Sequence, residues 1–248
     1  MANPTVISPT VIAVDWSGAK RTGPQSGIWL AVIQNGELVR SEAVPNREQA
    51  VVLVQASASP VIAGFDFSFG FPAWFAREHG CTTIADAWTL AEQRGEEWLA
   101  TPPAPPFWRD HCDVPAEQRF RRCEENLRRA GFPPKSIFQL VGNGQVGAGS
   151  VRGMPHLARL SAAGFAIWPF DHAGDRTAME IYPSLMRKLA PHHDAGSFAN
   201  EHERDAVASA RVLWDQRETV AALRAATDPI TRIEGDVWMP PELSSSSL

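Results

Sequence analysis

The stretch TVIAVDWSGAK, residues 10–20, joins an apolar run directly to an aspartate. Residues 11–14 (VIAV) predict a buried β-strand, and the glycine and polar residues that follow predict a turn. Asp15 lies where that strand ends, and an ionised carboxylate is costly to bury there unless it has a partner. The stretch therefore predicts the first strand of a sheet. It also predicts that the carboxylate at the carboxyl end of this strand has a binding partner.

Further strands follow on both sides of a helix. Residues 27–44 (GIWLAVIQNGELVRSEAV) predict two strands joined by a hairpin turn at Asn35-Gly36. Residues 46–57 (NREQAVVLVQAS) predict a helix, because their apolar residues have helical spacing and Asn46 is a typical N-cap residue. Residues 60–72 (PVIAGFDFSFGFP) predict a fourth strand that again runs into an aspartate.

The rest of the chain predicts an α/β protein with a helical insertion. Residues from about 72 to 165 are rich in Trp, Arg and Pro and predict helices that cap the sheet, within one domain over residues 1–248. Strands resume at 165–170 (FAIWPF) and 177–184 (TAMEIYPS), which we expect to form a hairpin or one strand with its lead-in. Residues 201–226 (EHERDAVASARVLWDQRETVAALRAA) are the segment that most clearly predicts a helix.

Composition narrows the classes of function. The 248 residues carry a net charge of −5, which argues against broad binding to duplex nucleic acid. No apolar run approaches the roughly 20 residues that cross a bilayer, and the N-terminus lacks the features of a signal peptide. Three cysteines without C-x-x-C spacing do not suggest a disulfide framework. We expect a cytoplasmic protein with no membrane contact; the sequence does not indicate its oligomeric state.

Four acidic residues occupy compatible places in this predicted fold. Asp15 and Asp66 end the first and fourth strands, Glu180 lies in a later strand, and Asp205 lies near the start of the late helix. If the first and fourth strands are parallel neighbours, their carboxyl ends lie about 4.8 Å apart. Carboxylates gathered there suit Mg²⁺ or Mn²⁺, which prefer oxygen ligands. The alternative is that Asp15 and Asp66 only cap the turns after their strands.

The turn after the first strand also carries candidate substrate contacts. Ser17, Lys20 and Arg21 are placed to bind a substrate phosphate, with plain solvation of the turn as the alternative. The arginine-rich residues 119–129 (RFRRCEENLRR) predict a solvated helix face that pairs with its own glutamates.

Six motifs together resemble domain-of-unknown-function family 429. They are VIAVDWSGA (11–19), VIAGFDFSFGFP (61–72), AIWPF (166–170), MEIYPS (179–184), RDAVASA (204–210) and IEGDVWMPP (233–241). The resemblance spans about residues 10–241 and is loosest in the helical middle. It implies a ribonuclease H-like fold, a five-stranded mixed sheet that begins with an antiparallel meander, and a nuclease activity.

The resemblance also implies the metal ligands Asp15, Asp66 and Asp205, with Glu180 as the fourth candidate. In a two-metal phosphodiesterase, Asp15 would bridge both ions, while Asp66 and Asp205 would each hold one. Glu180 would complete the shell or orient the attacking water. The expected substrate is a nucleic acid or nucleotide, and the acidic composition favours a small, structured or single-stranded one.

Two phosphate-binding alternatives compete with this interpretation. Gly142, Gly144 and Gly147 match G-x-G-x-x-G, but a helix delayed to about Pro155 argues against a dinucleotide fingerprint. The turn at residues 15–23 also resembles the phosphate hairpin of actin-like sugar kinases, so a compact phosphotransferase is the main alternative. A non-catalytic nucleotide- or nucleic-acid-binding module is another.

Other chemistries find less support. His79, Cys81, His111, Cys112 and Cys123 match no common zinc spacing, and no G-x-S-x-G motif indicates a serine hydrolase. The pair His192-His193 predicts an ordinary solvated connection.

Overall fold

A six-stranded mixed sheet organises the protein. The computed structural model describes residues 8–20, 23, 26–101, 103–141 and 146–241 of the chain. The strands are β1 (Thr10–Asp15), β2 (Ile28–Gln34), β3 (Glu37–Val44), β4 (Val61–Phe65), β5 (Ala166–Trp168) and β6 (Arg176–Glu180). Their spatial order is β3-β2-β1-β4-β6-β5. The predicted α/β class and mixed sheet are confirmed, with one strand more than the family resemblance implies.

Helices cover both faces of this sheet. They are α1 (Arg47–Ala56), α2 (Ala73–Glu78), α3 (Ile84–Trp98), α4 (Arg122–Arg129), α5 (Val146–Ala162), α6 (Pro183–Leu189), α7 (Glu201–Asp215), α8 (Arg217–Ala221) and α9 (Thr231–Glu234). Helices α2 to α5 occupy the chain between β4 and β5. The predicted late helix is divided, since α7 ends at Asp215 and α8 begins two residues later. No helix in the described ranges is both long enough and apolar enough to span a membrane.

β1 lies near the middle of the sheet and sets its register. It pairs antiparallel with β2 and parallel with β4, with Ala13 opposite Gly64. Ile12 and Val14 pack into a core shared with α1 and α5, whereas Val11 and Ala13 pack into a core shared with α7. Because both faces are covered, the strand is apolar at successive positions and not only at alternate ones. The predicted parallel pairing of the first and fourth strands is confirmed.

The predicted hairpin between β2 and β3 is also confirmed. Asn35 and Gly36 both have positive φ angles, 51° and 85°, which is the geometry of a two-residue type I′ turn. The two strands pair antiparallel on either side of it. Asn46 caps α1 as predicted, because its side chain accepts a hydrogen bond from the Gln49 amide at 2.9 Å.

The predicted pairing of the last two strands is wrong. β5 and β6 run parallel, with Ile167 opposite Ala178, so they do not form a hairpin. The chain between them reverses direction, starting at Pro169 and Asp171, before β6 begins. Asp171 accepts a hydrogen bond from the amide of Ile167 at 2.9 Å, which secures the start of this return.

Helix α5 begins earlier than predicted. Its first residue is Val146, so Gly147, Gly149 and Gly153 lie inside it, and Pro155 does not start it. A Cβ on Gly147 would lie 2.4 Å from the Ile137 carbonyl oxygen, and one on Gly153 would lie 2.6 Å from the Phe67 ring. The glycines therefore allow close packing, which outweighs their low helix propensity.

We expect Gly147→Ala to destabilise the protein by about 1–3 kcal/mol, because the new methyl group meets backbone atoms that cannot move independently. Gly149→Ala is the matched control in the same helix, since its Cβ would meet its nearest neighbour at an ordinary 3.5 Å. That control should be neutral or stabilising by up to about 1 kcal/mol, the gain in helix propensity. Urea unfolding of both variants tests this; equal stabilities would refute the packing explanation.

Candidate metal centre

Asp15 and Asp66 meet at the carboxyl ends of two neighbouring parallel strands. Asp15 is the last residue of β1, and Asp66 follows β4 directly and donates its amide to the Val14 carbonyl at 3.1 Å. Their side chains are hydrogen-bonded to each other. Two carboxyl groups form such a bond only when one is protonated, and this bond favours a protonated Asp66 and an ionised Asp15.

The electrostatics of Asp66 reflect the other acidic residues. Burial raises the pKa of Asp66 well above its ordinary value, and the charges of Asp15, Asp205 and Glu180 raise it further. Burial also raises the pKa of Asp15, although the hydrogen bonds from its neighbours oppose that rise. The pKa of Asp66 therefore depends on the other three predicted acidic residues, which would not be so if Asp15 and Asp66 were isolated turn caps.

Asp205 lies in the second turn of α7 and is anchored by Arg187 from α6. Its Oδ1 is 2.5 Å from Arg187 Nη1, an ion pair. The guanidinium is not aligned for a hydrogen bond, so this buried oxygen has no hydrogen-bond donor within the described residues. Burial and the charge of Asp15 raise the pKa of Asp205 to about 6. Arg187 already supplies a positive charge beside this oxygen, so a divalent cation that bound Asp205 Oδ1 would displace the guanidinium.

His202 is a member of this site that the sequence analysis missed. Its Nδ1 lies 2.6 Å from Asp15 Oδ2, and the Asp15 hydrogen bond raises the pKa of His202 above its ordinary value. The imidazole is about half exposed, whereas the Asp15 side chain is only 7% exposed. The spacing contained a signal, since His202 lies three residues before Asp205 and so shares its helix face.

Glu180 is already held by protein groups. Its Oε1 accepts from Arg121 Nη2 at 2.5 Å, and its Oε2 accepts from Arg121 Nη1 and from the Phe69 amide, both at 2.8 Å. The same guanidinium contacts Glu124 at 2.8 Å and the Glu234 carbonyl at 3.0 Å. In this geometry both oxygens of Glu180 are engaged, so it acts as a structural partner of Arg121 more readily than as an inner-shell ligand.

The burial of Arg121 corrects one sequence prediction. The arginine-rich segment was expected to form a solvated helix face, but Arg121 is 0% exposed and immediately precedes α4. Its neighbour Arg122 is exposed as expected and pairs with Asp228 at the surface. Burial of the guanidinium is compensated by its bonds to Glu124 and Glu180, because a buried charge requires partners.

The acidic residues approach one another without forming a closed ligand set. Within the described ranges, only His192, His193 and Asp215 place three ligand atoms within 4.8 Å of one another. At least one of the distances among the oxygens of Asp15, Asp66 and Asp205 therefore exceeds 4.8 Å. His202 contacts Asp15, and Arg187 contacts Asp205. The donor set of carboxylate oxygens nevertheless fits Mg²⁺ or Mn²⁺.

The histidine pair is more than a solvated connection. His193 Nε2 is 2.8 Å from Asp215 Oδ2 at the end of α7, and the rings of His192 and His193 are 4.0 Å apart. This cluster lies outside the four-carboxylate set. None of the residues considered for zinc (His79, Cys81, His111, Cys112 and Cys123) belongs to it.

The predicted phosphate contacts occupy different environments. Ser17 Oγ accepts a hydrogen bond from the Ala19 amide at 3.1 Å, which is a local turn contact. Lys20 is 74% exposed and pairs with Glu96 of α3 at 2.7 Å. Arg21 lies outside the described residues. Arg47 fixes the turn by donating to the carbonyls of Ser17 and Ala19, both at 2.8 Å.

A cleft opens beside Asp66. Its volume is about 360 Å³, and its wall includes Ser68, Lys135, Tyr182 and the Arg121–Glu180 pair. Asp66 is the only one of the three proposed ligands among the described lining residues. The cleft therefore gives a small substrate a path to the carboxylate pair.

The packing of α5 argues against the dinucleotide alternative. Gly142 and Gly144 lie outside the described residues, whereas Gly147 is the second residue of α5. The sequence analysis argued against this alternative because it predicted a late start of the helix, and that prediction is wrong. However, the described residues before the motif form only an isolated bridge at Gln139, and Gly147 packs against protein carbonyls. A dinucleotide fingerprint instead follows a strand and leaves its glycines open to the pyrophosphate.

Comparisons with protein-family models, with curated protein sequences and with solved structures give no match to this chain. The resemblance to family 429 is therefore still a prediction.

Proposed function

We propose that this protein is a Mg²⁺- or Mn²⁺-dependent nuclease with a ribonuclease H-like fold. The observation that supports it best is the hydrogen-bonded pair Asp15–Asp66 with Asp205 beside it, at the carboxyl ends of parallel strands. Open α/β sheets bind their ligands at that edge. The antiparallel meander of β3, β2 and β1, followed by the parallel strands β4 and β6, supports the fold assignment.

Bound divalent cations would activate a water molecule and stabilise the leaving oxygen of a phosphodiester. Asp15, Asp66 and Asp205 would hold them, and Asp66 would lose its shared proton on binding. Burial raises the pKa of Glu180 and Arg121 opposes that rise; the guanidinium also holds Glu180 in place, so Glu180 positions the neighbouring backbone at Phe69. His202 orients the Asp15 carboxylate through the contact between its Nδ1 and Asp15 Oδ2.

A phosphotransferase is the second candidate, because Asp15 would also lie beside a phosphate in that case. A kinase holds its metal largely through nucleotide phosphates, whereas the three-carboxylate site needs no nucleotide. The two proposals therefore differ in whether metal binding requires the nucleotide. A binding module would take up nucleic acid or metal without cleaving a phosphodiester.

Calorimetry with Mn²⁺, with and without a non-hydrolysable ATP analogue, tests the proposal together with cleavage of labelled DNA and RNA oligonucleotides. We expect Mn²⁺ to bind without nucleotide and cleavage to require metal. Asp113→Asn is the control, because this carboxylate side chain is 90% exposed and its ion pair among the described residues is with His111. Tight Mn²⁺ binding only with the nucleotide would favour the phosphotransferase, and binding without cleavage would favour the module.

A further inference from the structure

A second, larger groove lies on the other side of the turn that follows β1. Its volume is about 830 Å³, compared with about 360 Å³ for the cleft beside Asp66. The described lining residues are Gly18, Ala19, Lys20, Leu99, Ala100, Thr101, Arg109, Leu140, Ala148 and Arg152. Three of them are cationic and none is acidic.

The charges in this groove are only partly balanced. Glu96 of α3 pairs with Lys20 at 2.7 Å and with Arg152 at 2.6 Å. Arg152 also donates to the carbonyl of Gly18. One carboxylate therefore serves two cations, and the charge of Arg109 adds to the excess. In a protein with a net charge of −5, this is a local positive surface.

Arg109 has a buried donor without a hydrogen-bond partner among the described residues. Its Nη2 donates to the Leu99 carbonyl at 3.2 Å, but its buried Nε has no hydrogen-bond partner in the described part of the chain. Leaving a buried donor unpaired is costly, so such a group calls for an explanation. Arg109 also lines the groove, where its positive charge would attract a phosphate, because guanidinium groups form charge-assisted hydrogen bonds with phosphate oxygens.

The groove is close enough to the carboxylates to bind the same substrate. Gly18 follows Asp15 by three residues, which limits the distance between their Cα atoms to about 11 Å. This upper limit is short compared with an oligonucleotide, so a strand whose scissile phosphate lies at the carboxylates can place a flanking phosphate in the groove.

We propose that Lys20, Arg109 and Arg152 form a phosphate-binding track for a single-stranded polynucleotide whose scissile phosphate lies at the carboxylates. This inference rests on the proposed nuclease function and specifies its substrate as a strand of several nucleotides. A single groove with three cations accommodates one strand.

Fluorescence anisotropy of a labelled 12-nucleotide oligothymidylate, measured in EDTA over a range of salt concentrations, tests the track without cleavage. Each phosphate contact to a single strand contributes about 0.7 to the slope of log K against log salt. We therefore expect Arg109→Gln to reduce that slope by about 0.7 and to weaken binding about fivefold at 0.1 M salt. Arg109→Lys should retain the slope because it keeps the charge, and thermal unfolding checks that both variants fold.

Arg40→Gln is the matched control. Arg40 is exposed on the edge strand β3 and pairs with Glu42, so the variant removes one positive charge away from the groove. Equal affinity and slope for Arg109→Gln and Arg40→Gln would overturn the track, even if wild type cleaves oligonucleotides. Loss of binding in Arg109→Gln alone, with no cleavage by wild type in any divalent metal, would uphold the track and overturn the nuclease.

Discussion

Asp66→Asn is expected to abolish metal-dependent cleavage while stabilising the metal-free protein. The substitution removes one anionic ligand, and we expect a loss of about 10³-fold or more, equivalent to about 4 kcal/mol of transition-state stabilisation. In the metal-free state it also removes a buried group whose ionisation is opposed by Asp15, Asp205 and Glu180. Each kcal/mol gained should raise the melting temperature by roughly 2–4 °C for a chain of this length.

The pH dependence of the metal-free protein gives a second readout of the same substitution. The pKa of Asp205 is raised from 3.8 to about 6, and that of Asp66 is raised as well. At these two sites the folded protein therefore binds more protons than the unfolded chain across this range. The contribution of these groups to stability is present at low pH and falls as the pH rises from about 4 through 6.

Thermal unfolding between pH 4 and 8 in EDTA, for wild type and Asp66→Asn, measures this effect. The variant should lose less stability than wild type as the pH rises, and added Mn²⁺ should raise the melting temperature of wild type only. Asp113→Asn should behave like wild type. A metal-free Asp66→Asn protein that is less stable than wild type at pH 8 would indicate that Asp66 only caps its turn.

Arg121→Met is expected to destabilise the protein by about 3–5 kcal/mol, because it leaves buried carboxylates without their cation. Arg121 is fully buried and bonded to both Glu124 and Glu180. The double variant Arg121→Met/Glu180→Gln should recover part of this loss, since it removes one of the unpaired charges. Urea unfolding of the two variants measures the difference.

The neighbouring Arg122→Met is a matched control for this experiment. Arg122 makes an exposed ion pair with Asp228, and its side chain is 44% exposed. Exposed pairs of this kind contribute about 0–1 kcal/mol. If Arg121→Met costs no more than Arg122→Met, the buried network does not support the fold as we describe it.

The sequence predicted the parts of this fold that depend on local pattern. The apolar run before Asp15, the Asn35-Gly36 turn and the strand before Asp66 each have a signal within a few residues. The parallel pairing of β1 and β4 followed from that order, and it brings Asp15 and Asp66 together.

Other parts depend on contacts between distant residues, which one sequence does not display. The glycines of α5 indicate a loop by propensity, but backbone packing makes them helical. Arg121 has a plausible local partner in Glu124, whereas its partner Glu180 is 59 residues away. The role of His202 likewise depends on Asp15, which is 187 residues away in the chain.

The Arg121 network joins segments that a modular view of the chain would separate. Arg121 lies between β4 and β5, Glu180 ends β6 in the sheet, and the Glu234 carbonyl belongs to α9. Deleting or exchanging the helical region would remove the guanidinium that pairs with Glu180. The sheet thus depends on the helices between β4 and β5, and these helices cannot be removed alone. We expect them to unfold with the sheet in one cooperative transition.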